Sequence, residues 1–321
     1  SGATVYAAGL NIGGTAITST AAELNLLAGV TSVGSGVLSS VTENSNTGVR
    51  LSTSNAANHG NIGSNAVDLS YQASSSSTKG ATGAKSTVMG WGTTASGQAS
   101  TAMGYFTNST SYSSTAMGEA TTASGDKSTA MGYNTTASAQ YAVSMGNGTN
   151  ASGTGSTAMG WATAASGTVS TASGESTTAS GVQSTSMGYG TTASGIRSTA
   201  MGSSTTASDY ASVVIGQYNS AGSTVTNSAT AFNTANTAFV IGNGASSGSK
   251  SDAFKVMFNG DATVSNDLTV SGDVVVSSDA RLKSNIVSLG STLSRLLLID
   301  GKSYEMKGKQ KIGVLAQDIK E

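Results

Sequence analysis

Glycine recurs at Gly90, Gly104, Gly118, Gly132, Gly146, Gly160, Gly174, Gly188, Gly202 and Gly216, at one constant interval. No slip interrupts that register, and a fixed period of this kind marks a solenoid built from one small unit. The unit reads Ser-Thr-Ala-Met-Gly-x-x-Thr-Thr-Ala-Ser-Gly-x-x and runs from Ser86 to about Ser220. Such a unit is too short for a pair of helices but long enough for two short strands and two tight turns. Coils of that kind stack at the strand spacing, ~4.8 Å, so ten of them make a shaft of roughly 48 Å.

Each column has its own residue type. The position before the glycine is Met89, Met103, Met117, Met131, Met145, Met159, Met187 and Met201, with Ile215 at the end and Ser173 as the exception. Thr93, Thr107, Thr121, Thr135, Thr149, Thr163, Thr177, Thr191 and Thr205 lie three residues past the glycine. Ala95, Ala123, Ala137, Ala151, Ala165, Ala179, Ala193 and Ala207 follow two further on, with Ser109 out of line. Side chains alternate along a strand. Thr87-type and Met89-type residues therefore share one face, and Thr93-type and Ala95-type residues another. Val143 and Val213 replace threonine in the first of these columns, which predicts that the Thr–Met face is buried in a thin core of Met, Thr and Ala. The glycines suit turns that need a positive φ or a close backbone approach, and a second glycine column, Gly97, Gly125, Gly153, Gly167, Gly181 and Gly195, suits the other turn. Fixing a backbone residue costs ~1–2 kcal/mol, so a coil this narrow is expected to bury its remaining faces against other chains.

A composition dominated by Gly, Ser, Thr and Ala would by itself permit disorder, but disorder has no need of fixed columns. Cysteine and proline are both missing from the 321 residues, and the net charge is −1. Without cysteine there are no disulfides and no thiolate metal sites. His59, the single histidine, has no Cys, Asp or Glu cluster beside it in sequence and reads as a surface or packing residue. No cofactor and no metal are expected. Between Ser86 and Ser220 the only charged residues are Glu119, Asp126, Lys127, Glu175, Arg197 and Asp209, too few cations to neutralise phosphates, so nucleic acid is not an expected partner. The acids are scattered too widely for the paired carboxylates of a glycosidase. No apolar run approaches the ~20 residues of a membrane helix.

The repeat unit resembles the head repeat of trimeric autotransporter adhesins of the YadA type, from Ser86 to Ser220. What the resemblance implies is a left-handed parallel β-roll in which three chains form one head. The expected object is thus a homotrimeric extracellular fibre, on a cell surface or a virion, that attaches to host or partner glycans or proteins. Phage and algal-virus fibres carry similar repeats. No leader is visible at Ser1, so either one was removed or the chain is a fragment, and the missing membrane-anchor barrel weakens the bacterial version of this expectation.

Around the shaft the chain falls into four expected parts. Residues 1–85 form a spacer and β-rich lead-in, with Thr20 capping a short helix through Leu27 and with Val49, Leu51, Val67 and Leu69 in alternating runs. Residues 86–251 are the repeat head. Its rhythm breaks after Gly216 and resumes at Phe239-Val240-Ile241-Gly242, one period plus an insertion within Ser220 to Ala238. Residues 252–277 form a β neck with a hairpin signal at Asn259-Gly260. From Asp279 onward eight basic and five acidic residues mark a compositional boundary.

The neck ends at Ser277-Ser278-Asp279-Ala280-Arg281-Leu282-Lys283. That motif, with Leu296 through Tyr304 and Ile312 through Asp318, resembles the start of the S74-type intramolecular chaperone of phage tailspikes and endosialidases. The resemblance covers residues 278–321 and implies a small α+β segment. It further implies Ser278 as nucleophile and Lys283 as general base of a cut between Ser277 and Ser278, a step that locks three aligned chains together. The family's domain is longer than the stretch from Ser278 to Glu321. A non-cleaving coupling segment is the other reading of the same residues. The expected fold class is all-β: a β-roll shaft, a β neck and a small C-terminal segment.

Two alternatives attach to the outer columns. Thr94, Thr122, Thr136, Thr178, Thr192 and Thr206 form an outward ladder, broken by Asn108, Asn150 and Ala164, of the kind that binds ice or another ordered surface. Trp91, Tyr105, Tyr133, Trp161 and Tyr189 follow the glycine and are either sugar contacts or turn residues packing on the next coil. Four sequons, at Asn108, Asn134, Asn147 and Asn150, matter only in a eukaryotic source.

Overall fold

A computed structural model describes residues 10–12, 15–17, 37–271, 301–306 and 309–313. The chain divides into two compact units, Ser1–Asp267 and Leu268–Glu321. The second unit contains an antiparallel ribbon, Lys302–Met306 against Lys309–Gly313. The expected helix at Thr20–Leu27 lies outside the described residues.

The first unit is a parallel β-solenoid. Each repeat contributes a five-residue strand, such as Thr115–Glu119, and a two-residue strand, such as Thr122–Ala123. The long strands join a 16-stranded sheet and the short ones a 10-stranded sheet, both in chain order. Pairing is like on like: Thr115 faces Thr129, Ala116 faces Ala130, Met117 faces Met131 and Gly118 faces Gly132. Among the described residues the only helix is one 3-10 turn, Ala56–Asn58. The ladder reaches back beyond Ser86, because Val67–Tyr71 pairs in parallel with Thr87–Trp91.

The interior differs from the one expected. Ala102, Ala116, Ala130, Ala158, Ala172 and Ala200, each between the Thr and the residue of the Met column in its strand, are wholly buried. So are Thr93, Thr107, Thr121 and the rest of that column, together with the Ala95-type and Ser100-type columns. Thr–Met faces point the other way, with Thr101-type residues half-buried and Met89, Met187 and Met201 36–43% exposed. The reason is volume. A coil closed by so short a repeat encloses room for methyl and hydroxymethyl groups, and methionine does not fit. The lead-in strands repeat the inversion: Arg50, Asp68 and Ser70 point inward, while Val49, Leu51, Val67 and Leu69 are half-exposed.

Glycine is required where coils touch. Gly132 has φ +121, and a Cβ on it would lie 2.0 Å from the carbonyl oxygen of Gly146. Two other positions per coil are also left-handed yet mostly hold other residues, for example Phe106 at φ 53 and Val169 at φ 56. Stacking supports that strained backbone. The amide of Phe106 donates to the carbonyl of Trp91 and that of Val169 to the carbonyl of Thr154, each at 2.8 Å.

The parallel stack is closed at both ends by antiparallel strands. Leu38–Glu43 pairs with Asn46–Leu51 at one end. At the other, Val213 pairs with Phe239 and Gly216 with Gly242, so the strand after the insertion enters in the column register of the repeat. Asp252–Met257 then runs antiparallel to it and turns at Asn259-Gly260 into Ala262–Val264.

Candidate functional site

Three features carry chemistry or contact. The first is the outer Thr–Met face. Leu69, Met89, Met103, Met117, Met131, Met145 and Met159 stand in continuous register through strand pairing. Ser173 interrupts the row, which resumes at Met187 and Met201. Beside it runs a second row, Val67, Thr87, Thr101, Thr115, Thr129 and Val143. The result is a continuous, largely apolar seam along the shaft, left partly open by the chain's own coils. Soluble monomers rarely leave so long an apolar surface in water.

The second is a buried polar cluster in the first coils. Asp68 and Arg50 are almost wholly buried, and His59 is 6% exposed. His59 Nδ1 lies 2.9 Å from Asp68 Oδ2, and since an ionised carboxylate only accepts, the ring donates here. Asp68 Oδ1 accepts from the Ser70 hydroxyl at 2.6 Å and the Ser70 amide at 3.0 Å. Arg50 forks onto Glu43 at 2.8 and 3.1 Å and donates to the Gly60 carbonyl. Burial pushes the Asp68 carboxyl up, but the hydrogen bonds from His59 and Ser70 outweigh it, leaving the group below its ordinary value. Glu43 is likewise held low, burial being outweighed by Arg50 and the Ile62 amide. His59 is therefore a buried residue paired with Asp68, the packing alternative of the sequence reading and not the surface one. The spacing of Glu43, Arg50, His59 and Asp68 follows no repeat, so the columns gave no sign of it. Ser70 reaches Asp68 rather than His59, so the group is no nucleophilic triad. Among the described residues no cluster of His, Asp and Glu has the makeup of a metal site.

The third is the insertion at the far end. Buried Asp209 accepts from the amides of Thr226 at 2.6 Å and Thr237 at 2.8 Å, which fixes both ends of the loop. Asp252 accepts from the amides of Ser220 and Ala221. Asn219 pairs with Thr206 through its side-chain amide, replacing the next strand of the narrow sheet.

Ser278 and Lys283 lie outside the described residues. The aromatic column is placed: Trp91, Tyr105, Tyr133, Trp161 and Tyr189 are 43–58% exposed. Trp91 packs on Tyr71 with ring centroids 4.8 Å apart and on Tyr105 at 6.4 Å. No helix among the described residues is long and apolar enough to cross a membrane.

A comparison with curated proteins gives no match. Family models do match. The model of the YadA head domain repeat, two copies at a time, fits residues 81–107, 109–135, 137–163, 165–191 and 193–219 in succession. The model described as chaperone of endosialidase, Peptidase S74, fits residues 278–321. The shaft of this chain is accordingly a run of YadA-type head repeats, followed by an S74-type chaperone segment.

Proposed function

We propose that three copies of this chain form an extracellular or virion fibre that attaches to a surface, and that its C-terminal segment aligns the chains and then cuts itself free. The apolar seam carries this reading. Its methionines are partly exposed in one chain, and burying the rest of each is worth about 1 kcal/mol. A parallel three-chain bundle covers all the seams at once, and both matched families fit such an assembly. On this reading Leu69 through Ile215 line the bundle axis, and the exposed turns form its outer surface.

The cut is the finer part. Lys283 in its neutral form takes the Ser278 hydroxyl proton as Oγ bonds to the Ser277 carbonyl carbon. The C–N bond then breaks, and the proton passes to the new Ser278 amine. Water hydrolyses the resulting ester, restoring the hydroxyl and releasing the Ser277 carboxylate.

Light scattering on the native particle, with denaturing mass spectrometry on the same sample, tests both parts. A native mass three times the chain's 31.4 kDa supports the fibre, and a monomer ends it. When a longer precursor is expressed, a product beginning at Ser278 supports the cut. Its persistence in Ser278→Ala would assign the cleavage elsewhere.

A further inference from the structure

The column after the glycine changes character along the shaft. Near the start its aromatics are consecutive, Tyr71, Trp91 and Tyr105, and their rings pack on one another. From there on they alternate with polar residues: Glu119, Tyr133, Asn147, Trp161, Glu175 and Tyr189 face each other in turn through strand pairing. Rings at Tyr133, Trp161 and Tyr189 are therefore two coils apart, ~9.6 Å, too far to touch one another. Each is more than half exposed, at 51, 58 and 54%. The neighbouring turn positions over this stretch are Asn134, Gly148, Ala162, Ser176 and Gly190, all small or short. Near the start of the shaft one such position, between Gly92 and Ala120, is Phe106, which packs against Tyr105. Within one chain, small neighbours leave the later rings' faces open at the turn-side end of the strands that carry the Met row.

We propose that this row of rings binds an extended, uncharged, equatorially β-linked polysaccharide lying parallel to the shaft. In such a chain successive rings are flipped, so the same C–H face returns only once per disaccharide. The rise of two coils is about the length of one disaccharide. Alternate sugar rings stack on Tyr133, Trp161 and Tyr189, as apolar sugar faces do on aromatic faces. Intervening hydroxyls meet Glu119, Asn147 and Glu175, the few polar groups that fix orientation in such sites. The two carboxylates in the column turn away anionic glycans. The inference rests on the surface-attachment reading and names the chemistry of the surface.

The test uses the full chain in its native assembly, its mass first measured by light scattering. Insoluble β-1,4-glucan and β-1,4-linked N-acetylglucosamine polymer are the probes for co-sedimentation, with their soluble hexasaccharides for titration of Trp161 emission in a Trp91→Phe background. Binding should weaken about tenfold for each of Tyr133→Ala, Trp161→Ala and Tyr189→Ala. Tyr112→Ala, an exposed aromatic of another column, should bind as the parent does. The proposal is overturned by a trimer that binds neither polymer, by equal binding in the triple variant, or by a Trp161 shielded from a neutral quencher in the free trimer. Those outcomes leave the fibre intact, whereas a monomeric mass removes the fibre instead.

Discussion

Thr121 and Thr149 occupy the same column two coils apart but do not do the same work. Thr121 Oγ1 is buried and makes no hydrogen bond within the described residues. Thr149 Oγ1 lies 2.7 Å from the hydroxyl of Ser144, which stands where most coils have alanine. Thr191 and Ser186 repeat the pair at 2.7 Å. At both places an inward alanine replaced by serine is thus matched by a hydroxyl already present in the coil. Thr121→Val removes an unpartnered polar atom and should stabilise by about 1 kcal/mol. Thr149→Val strands Ser144 and should destabilise by about 1–2 kcal/mol. Thermal unfolding of the two variants side by side checks the opposite signs. This scale was the least legible from sequence. Apolar periodicity put Met inside, because apolar residues usually are. So small a ring reverses the rule, and only the coil's cross-section says so.

At the scale of elements, the period alone placed the strands, the turns and the return of the register at Phe239. It was silent about how the stack closes. The first coils rest on Asp68 and Glu43, whose folded carboxyls titrate below their ordinary values. A group lowered in the folded state stabilises above its unfolded value, near ~4, and loses that contribution as pH falls through the folded one. The side chains facing them are Arg50, His59 and Ser70, and the amides of Ile62, Ser70 and Ala81 donate to their carboxylates. Hydrogen-exchange protection at those three amides should therefore drop as the medium is taken from neutral to acid below the ordinary carboxylate range. The central coils from Thr115 to Ala179, held by backbone pairing around alanine and hydroxyl side chains, should keep theirs. Equal loss in both regions would show that the cluster does not set the acid sensitivity of this end.

For the whole molecule, the repeat family was legible because ten units keep one register, and the S74-type motif because Ser278 to Lys283 is compact in sequence. The association surface was legible only as a need for other chains; the apolar face that the coils leave open is the Met row. Met131 and Met145 pair directly in that row. Met131→Asp together with Met145→Asp adds two charges per chain to the proposed axis, where a buried unpaired charge costs several kcal/mol. The native mass of this variant should fall from three chains to one, with the circular dichroism of the coil retained. A variant that still weighs three chains would move the interface to another face.

The like-on-like stacking also has a mechanical side. Hydrogen bonds between coils run along the shaft, so tension on a tethered fibre falls on them directly, one rung at a time. No rung is marked as stronger than the next by residue type, since Thr, Ala, Met and Gly repeat from coil to coil. A pulled chain would therefore pay out in even steps, each freeing one repeat and lengthening it by roughly 45 Å. The coil carrying the insertion, from Gly216 to Gly242, gives the longest step, and the lead-in coils from Val49 to Val67 and from Val67 to Thr87 also give longer steps than a repeat does. An attachment built in this way yields gradually under load and keeps its inner coils in place while the end ones give.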